Sequence, residues 1–238
     1  MNYLFGPKAI NEAINNQYTK IKKIYLTKNK SSFLSNLNDK NINYQFVNDD
    51  YFNKFDSSLN HQFICAEIES NNYFNSIEQW IKINNNQDKK QLILILDEIN
   101  DPRNFGSIIR TSYGLGVDAI IYKKDNQVQI NDLVQKTSMG ATSFIPLIKV
   151  SNLARTIETL KDNGYWIYAS VLSDKSQDCS KIQYDNKTAL IIGNENKGIS
   201  DLLIKKSDFH IKINMSNNFD SLNVSVATGI LVFNILNK

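Results

Sequence analysis

Cysteine occurs only twice in the 238 residues, as Cys65 and Cys179, and histidine only twice, as His61 and His210. A count of two argues against a disulfide framework, and a zinc site made of cysteine alone would lack ligands. Adding the histidines does not repair this, because neither His61–Cys65 nor Cys179…His210 has zinc-finger spacing. No metal is expected. Long apolar runs are missing too. The longest, Leu92-Ile93-Leu94-Ile95-Leu96, is far short of the ~20 residues a membrane span takes. The opening Met-Asn-Tyr-Leu-Phe-Gly-Pro-Lys has no apolar signal core. A cytoplasmic protein with no membrane partner is the expectation.

Arginine is scarce: lysine supplies all but three of the 27 basic side chains. Abundant lysine, asparagine and isoleucine read as a coding bias, so most of them need no functional explanation. Where lysine is the default cation, Arg103 and Arg110 suggest a use for the planar, bidentate guanidinium, although chance placement gives the same pattern. The net charge of +3 does not by itself announce a nucleic-acid partner. It hides an uneven distribution. No acidic residue lies between Glu12 and Asp39, while Lys20, Lys22, Lys23, Lys28 and Lys30 do. That stretch reads either as a solvated face or as a patch for phosphates.

What is present is an ordinary globular composition, 42% hydrophobic and 21% charged, in a chain long enough to bury a sizeable core. Ile10 and Ile14 have helical spacing over 9–15. Strand-like Ile21–Leu26, a helix at Phe33–Leu37, and strands at Tyr44–Val47 and Phe63–Ile68 complete a small α/β domain over 1–70. Residues 71–90 are expected to be a linker, with a short amphipathic turn at Ile77, Trp80 and Ile81 before the wholly polar run 84–90. From 91 to 238 apolar runs recur at Leu92–Leu96, Ala119–Tyr122, Phe144–Ile148, Trp166–Val171, Ala189–Ile192 and Phe209–Ile213. Helical patterns lie between them, such as Leu153, Ile157 and Leu160, and Val224–Leu236 closes the chain as a helix. Buried strands alternating with helices predict α/β with a mainly parallel sheet covered on both faces.

Two glycine patterns are decoys. Gly114-Leu-Gly116-Val-Asp-Ala119 matches a dinucleotide fingerprint, yet it follows a helix and enters a strand, the reverse of what that motif requires. Gly193…Gly198 has P-loop spacing but lacks the following Lys-Ser/Thr. Three segments remain, each at the C-terminal edge of a predicted strand, where open α/β sheets bind ligands. They are Asp97–Thr111, with Asn104 as a candidate helix cap; Leu190–Ile199, with Glu195 between two glycines; and Ile211–Ala227, with Met215, Ser221 and Asn223.

In this order the three segments resemble the motifs of the SpoU family of RNA ribose 2′-O-methyltransferases, within the SPOUT class. The resemblance covers about 91–238. Gly6…Ala9-Ile10…Glu12-Ala13-Ile14 and His61-Gln62-Phe63-Ile64 are similar to the RNA-binding extension of a branch acting on a guanosine of 23S ribosomal RNA. Asn196, Asn214 and Phe63 stand where relatives usually have glycine, proline and glycine. The resemblance implies a sheet ending in a deep trefoil knot and a small N-terminal α/β RNA-binding domain like those of ribosomal proteins. It implies S-adenosylmethionine as cofactor and a homodimer.

The residue roles it implies are these. Asn104, Arg110, Glu195, Ser221 and Asn223 fall on catalytic or RNA-contacting positions, with Glu195 accepting from substrate or from Arg110. Gly193, Asn194, Ile213, Met215, Leu222 and Asn223 fall on cofactor contacts. Apart from the resemblance, the charge pattern makes Lys20, Lys22, Lys23, Lys28 and Lys30, and arginine scarcity makes Arg103 and Arg110, the candidate RNA contacts; the resemblance puts ribosomal RNA first and transfer RNA second. A non-catalytic RNA-binding module and, from the glycine decoy, a nicotinamide dehydrogenase are the alternatives.

Overall fold

The computed structural model describes residues 2–37, 41–55, 60–70, 72–84, 89–216 and 221–237. The chain divides into two compact units, Met1–Asn72 and Tyr73–Lys238.

In the first unit β1 (Asn2–Phe5) leads into α1 (Pro7–Asn15), whose first residue is a proline already set at helical φ. β2 (Thr19–Leu26), β3 (Tyr44–Phe46) and β4 (Ile64–Ser70) complete a four-stranded sheet of order β1-β4-β2-β3. Leu4, Ile24, Leu26, Ile64, Ala66 and Ile68 are buried with Ile10 and Ala13 of α1. The alternate residues of the strands carry Tyr3, Phe5 and Tyr25, which meet Tyr51 and Phe55 of a 3-10 segment, Asp49–Lys54, and its cap. The helix expected at Phe33–Leu37 is the end of a longer 3-10 run, Lys28–Leu37. Ser35 donates locally to Ser32 O at 2.8 Å, a bond that competes with α-helical pairing.

The second unit opens with β5 (Tyr73–Phe74) and α2 (Ile77–Asn84). Both lie in the stretch expected as a linker. Instead, β5 pairs with the large sheet and α2 buries Ile77, Trp80 and Ile81; of the polar run, 85–88 lie outside the described residues. β6 (Gln91–Leu96), α3 (Pro102–Leu115), β7 (Ala119–Lys123), α4 (Asp132–Thr137), β8 (Leu147–Val150), α5 (Leu153–Asp162), β9 (Trp166–Ser170), β10 (Gln177–Asp178), β11 (Lys187–Ile192), α6 (Asp201–Lys206), β12 (Phe209–Lys212) and α7 (Val224–Leu236) follow. The eight strands run in the order β10-β12-β9-β11-β6-β7-β8-β5, and each pair is parallel.

All six residues of β6 are buried, which is why it reads as an unbroken apolar run. Leu92, Leu94 and Leu96 join one core with Phe105, Ile108 and Ile109 of α3 and Leu231, Val232 and Ile235 of α7. Ile93 and Ile95 point the opposite way by the two-residue period, and there α5 buries Leu153, Ile157 and Leu160. Strand β8 starts later than the run Phe144–Ile148 suggested, because Ala141–Ser143 form a 3-10 turn with Phe144 as its cap. Gly116 is the left-handed cap of α3, at φ +90°, so the dinucleotide pattern is a helix stop. No helix among the described residues is long and apolar enough to cross a membrane.

Candidate functional site

With every strand of the eight-stranded sheet parallel, the C-terminal ends of β6, β9, β11 and β12 share one edge of that sheet, and the three motifs follow β6, β11 and β12. The first motif starts α3. Asp101, not Asn104, is its N-cap: the carboxylate accepts from the Arg103 N–H at 2.7 Å, and Pro102 is the first helical residue. Asn104 is thereby freed to face outward from the first turn. Arg103 and Arg110 are both exposed on the same helix. Among the described residues no ion pair holds either one.

The second motif is a tight loop. Asn194 and Gly198 exchange both backbone hydrogen bonds, at 3.0 and 2.9 Å. The Asn194 Oδ1 accepts from the N–H groups of Asn196 and Lys197 at 2.8 and 3.1 Å. A Cβ on Gly193 would lie 2.3 Å from the carbonyl carbon of Gly198, so only glycine lets the loop close. Asn196 keeps a negative φ and needs no glycine there. The third motif ends at α7, where Asn223 is the N-cap and accepts from the Ser225 N–H at 2.9 Å. Residues 217–220 of this motif lie outside the described residues, and with them part of the chain that would close the expected knot. Asn214 donates to Asp178 Oδ2 at 2.7 Å.

Three motifs meet in one hydrogen-bonded chain. Asn223 Nδ2 donates to Asn104 Oδ1 at 3.1 Å, and Asn104 Nδ2 donates to Glu195 Oε1 at 2.7 Å. Glu195 therefore takes its internal hydrogen bond from Asn104, not from Arg110 as one sequence reading had it. All three side chains lie near solvent, where such bonds add little net stability; their effect is on orientation.

Beside this chain is a cavity of about 550 Å³, in the range of small-molecule sites. Gly193, Asn194, Glu195, Ile213, Met215, Ser221 and Leu222 line it. Asn223, expected among the cofactor contacts, does not. Sequence reading missed Ser170, which ends β9, and Val171 and Leu172 just after it, all of which line the cavity, and Lys212, which donates to Ser173 O at 3.0 Å. The signal was available, since β9 was legible as a strand and its C-terminal edge is where ligands sit. Ile192, Ile199 and Val224 add apolar lining beside the polar Asn194, Glu195 and Ser221.

The lysine segment is divided between two elements of the first unit. Lys20, Lys22 and Lys23 are on β2, where Lys22 lies 3.9 Å from Glu69 and Lys23 sits over the Tyr25 ring, whereas Lys28 and Lys30 open the 3-10 run.

Residues 91–233 match the family model of the SpoU rRNA methylases, and residues 3–74 match that of the RNA 2′-O ribose methyltransferase substrate-binding domain. The chain belongs to the SpoU rRNA methylase family. As a SpoU methylase it is an S-adenosylmethionine-dependent enzyme acting on RNA. An uncharacterised tRNA/rRNA methyltransferase of Mycoplasma genitalium is 42% identical over 232 residues, covering 97% of this chain and 95% of its own. Among solved structures, an AdoMet-bound rRNA methyltransferase from Sinorhizobium meliloti superposes with TM-score 0.75 at 22% identity, covering 99% of this chain and 86% of the other. The SpoU methyltransferase AviRb from Streptomyces viridochromogenes, in complex with AdoMet, gives 0.72 at 17%, covering 99% and 89%. At such identities these two establish the shared fold of the SpoU methylase.

Proposed function

We propose that this SpoU methylase transfers a methyl group to a ribose 2′-hydroxyl, first of all of a guanosine in 23S ribosomal RNA, with transfer RNA the second target. The observation that carries the reading is the chain Asn223–Asn104–Glu195 drawn from three motifs to the rim of one cavity. S-adenosylmethionine, when bound, supplies an electrophilic methyl group on a sulfonium. Gly193, Asn194, Ile213, Met215 and Leu222 would hold it, since they line the cavity.

The remaining work falls to side chains of the protein. A reacting hydroxyl must be held in line and its proton given a way out. Glu195, turned by Asn104, accepts a hydrogen bond from the ribose, while Ser221 at the cavity wall orients the same hydroxyl. Arg110 grips the adjoining phosphate through two parallel hydrogen bonds; a guanidinium stays protonated and serves poorly as a base.

The match of residues 3–74 to a substrate-binding model supports an RNA-contacting role for the first unit, with Lys20, Lys22, Lys23, Lys28, Lys30 and Arg103 adding salt-dependent affinity. A homodimer is part of the proposal. Val226, Ile230 and Phe233 are spaced along α7 as one helical stripe and are 52%, 40% and 58% exposed, a face that a second copy would cover in an isologous contact.

Labelled S-adenosylmethionine incubated with ribosomal RNA and, separately, transfer RNA tests this. Label on ribose after digestion is expected, and label on a base would refute the hydroxyl chemistry. Arg110→Ala should bind cofactor normally and lose transfer by more than a hundredfold, about 3 kcal/mol of transition-state stabilisation.

A further inference from the structure

Two segments must keep register for Asn104 to reach Glu195: the turn from β6 into α3, and the loop after β11. Both are fastened at Glu98. Its backbone carbonyl accepts from the Asn194 side-chain amide at 2.7 Å, and Asn194 is the residue that organises the loop. Glu98 stands at φ +63°, a left-handed conformation that a residue with a Cβ keeps only when its surroundings hold it. Its N–H donates to Gln127 Oε1 at 3.2 Å, and its carboxylate accepts from Lys123 Nζ at 2.7 Å. The neighbouring Asp97 is buried and accepts from the Ser200 N–H at 2.9 Å, with Lys123 Nζ 3.9 Å from its other oxygen. One ammonium, at the end of β7, therefore serves two adjacent carboxylate residues that tie down the two ends of the loop 194–200. Neither Glu98 nor Lys123 lines the cavity.

We propose that Lys123 and Glu98 are positioning residues: their ion pair fixes the left-handed turn at Glu98, and through Asn194 it sets the loop so that Glu195 meets Asn104. The inference rests on the reading of Glu195 and Asn104 as parts of the methyl-transfer site. It requires the carboxylate of Glu98 and not merely its backbone shape, which distinguishes it from a passive turn.

The test uses the full chain and the variants Lys123→Met, Lys123→Arg, Glu98→Gln, Glu98→Gly and the double variant Lys123→Met/Glu98→Gln. Two quantities are read: kcat and KM for RNA, and backbone amide hydrogen exchange across 194–198, which needs no turnover. Lys123→Met and Glu98→Gln should each lower kcat about tenfold with KM unchanged, and the double variant should be no worse than either, as expected for one shared contact. Exchange at Asn196 and Lys197 should quicken while β6 and β11 stay protected. Lys123→Arg should restore both quantities. Glu98→Gly, free to adopt φ +63° without a carboxylate, should behave as Glu98→Gln does.

Unchanged kcat and exchange, additive losses, or a Glu98→Gly variant indistinguishable from wild type would each overturn the proposal. Should Lys123→Met fail to fold, the exchange of Glu98→Gly decides. A wild-type chain that transfers no methyl group would instead overturn the underlying reading, and loop exchange would still show whether the brace exists.

Discussion

Asn223 does two jobs with the two ends of one amide. Its oxygen caps α7 and its nitrogen donates to Asn104. Aspartate caps a helix as well as asparagine does but has no N–H to offer Asn104. Asn223→Asp is thus expected to leave the melting temperature unchanged and to lower kcat about tenfold or more, the cost of losing one orienting bond in a strongly position-dependent reaction. A matching fall in melting temperature would show the residue to be only a cap.

At this scale the sequence was partly misleading. Asn104 had the right type and place for a cap, but Asp101 stands immediately before a proline, and a proline at the first helical position settles where the helix begins. The two departures at usual glycine positions proved physically different. Asn196 has an ordinary φ, whereas Phe63 is held at φ +58° after Gln62 at +49°. Its N–H donates to His61 Nδ1 at 3.0 Å, and its ring packs against Phe52 and His61.

Among the elements, β6 organises the second unit, and Asp118 fastens its start. The carboxylate accepts from the Leu92 N–H at 2.8 Å, and Lys89 lies 3.5 Å away. Burial is the largest influence on Asp118 and pushes its carboxyl above the ordinary aspartate range, against those partners. A raised carboxyl means that the folded state holds its proton more tightly than the unfolded chain does. Its contribution to stability is therefore largest at low pH and declines as pH rises through the folded value. Asp118→Asn, which keeps an oxygen for Leu92, should melt higher than wild type near neutral pH, and the gap should close on acidification. A gap that widens in acid would mean that the Lys89 pair dominates.

The strands of this unit were legible because a parallel strand buried on both faces cannot hide its apolar run. β5 and α2 were not. A two-residue strand has no periodicity to read, and the polar residues around α2 resemble those of the linker beyond it, so their attachment is settled by tertiary pairing with β8.

The whole molecule is two units, each with buried strands and helices of its own. Residues 73–238 made alone should fold and bind S-adenosylmethionine within about twofold of the full chain. They should lose RNA affinity, and the slope of log affinity against log salt should shrink by roughly one for each lysine–phosphate contact removed. An unchanged slope would mean that the lysines of the first unit are only a solvated face. The division into a small α/β part and a parallel-sheet part could be read from the pattern of apolar runs along the chain. The point of division could not, because it depends on which sheet a two-residue strand joins.

The all-parallel sheet carries a consequence for synthesis. Gln91 at the start of β6 pairs with Lys187 at the start of β11, and the residues between them must leave the ribosome before that edge of β6 has a neighbour. At 5–20 residues per second this is roughly 5–20 s, during which a strand with no charged residue waits unpaired on one side. The first unit closes its sheet over a shorter stretch, with Phe5 pairing with Cys65, and finishes earlier. A nascent SpoU methylase of this kind therefore passes through a half-built state that is adhesive before it is enzymatic, and its yield at high expression is governed by that interval.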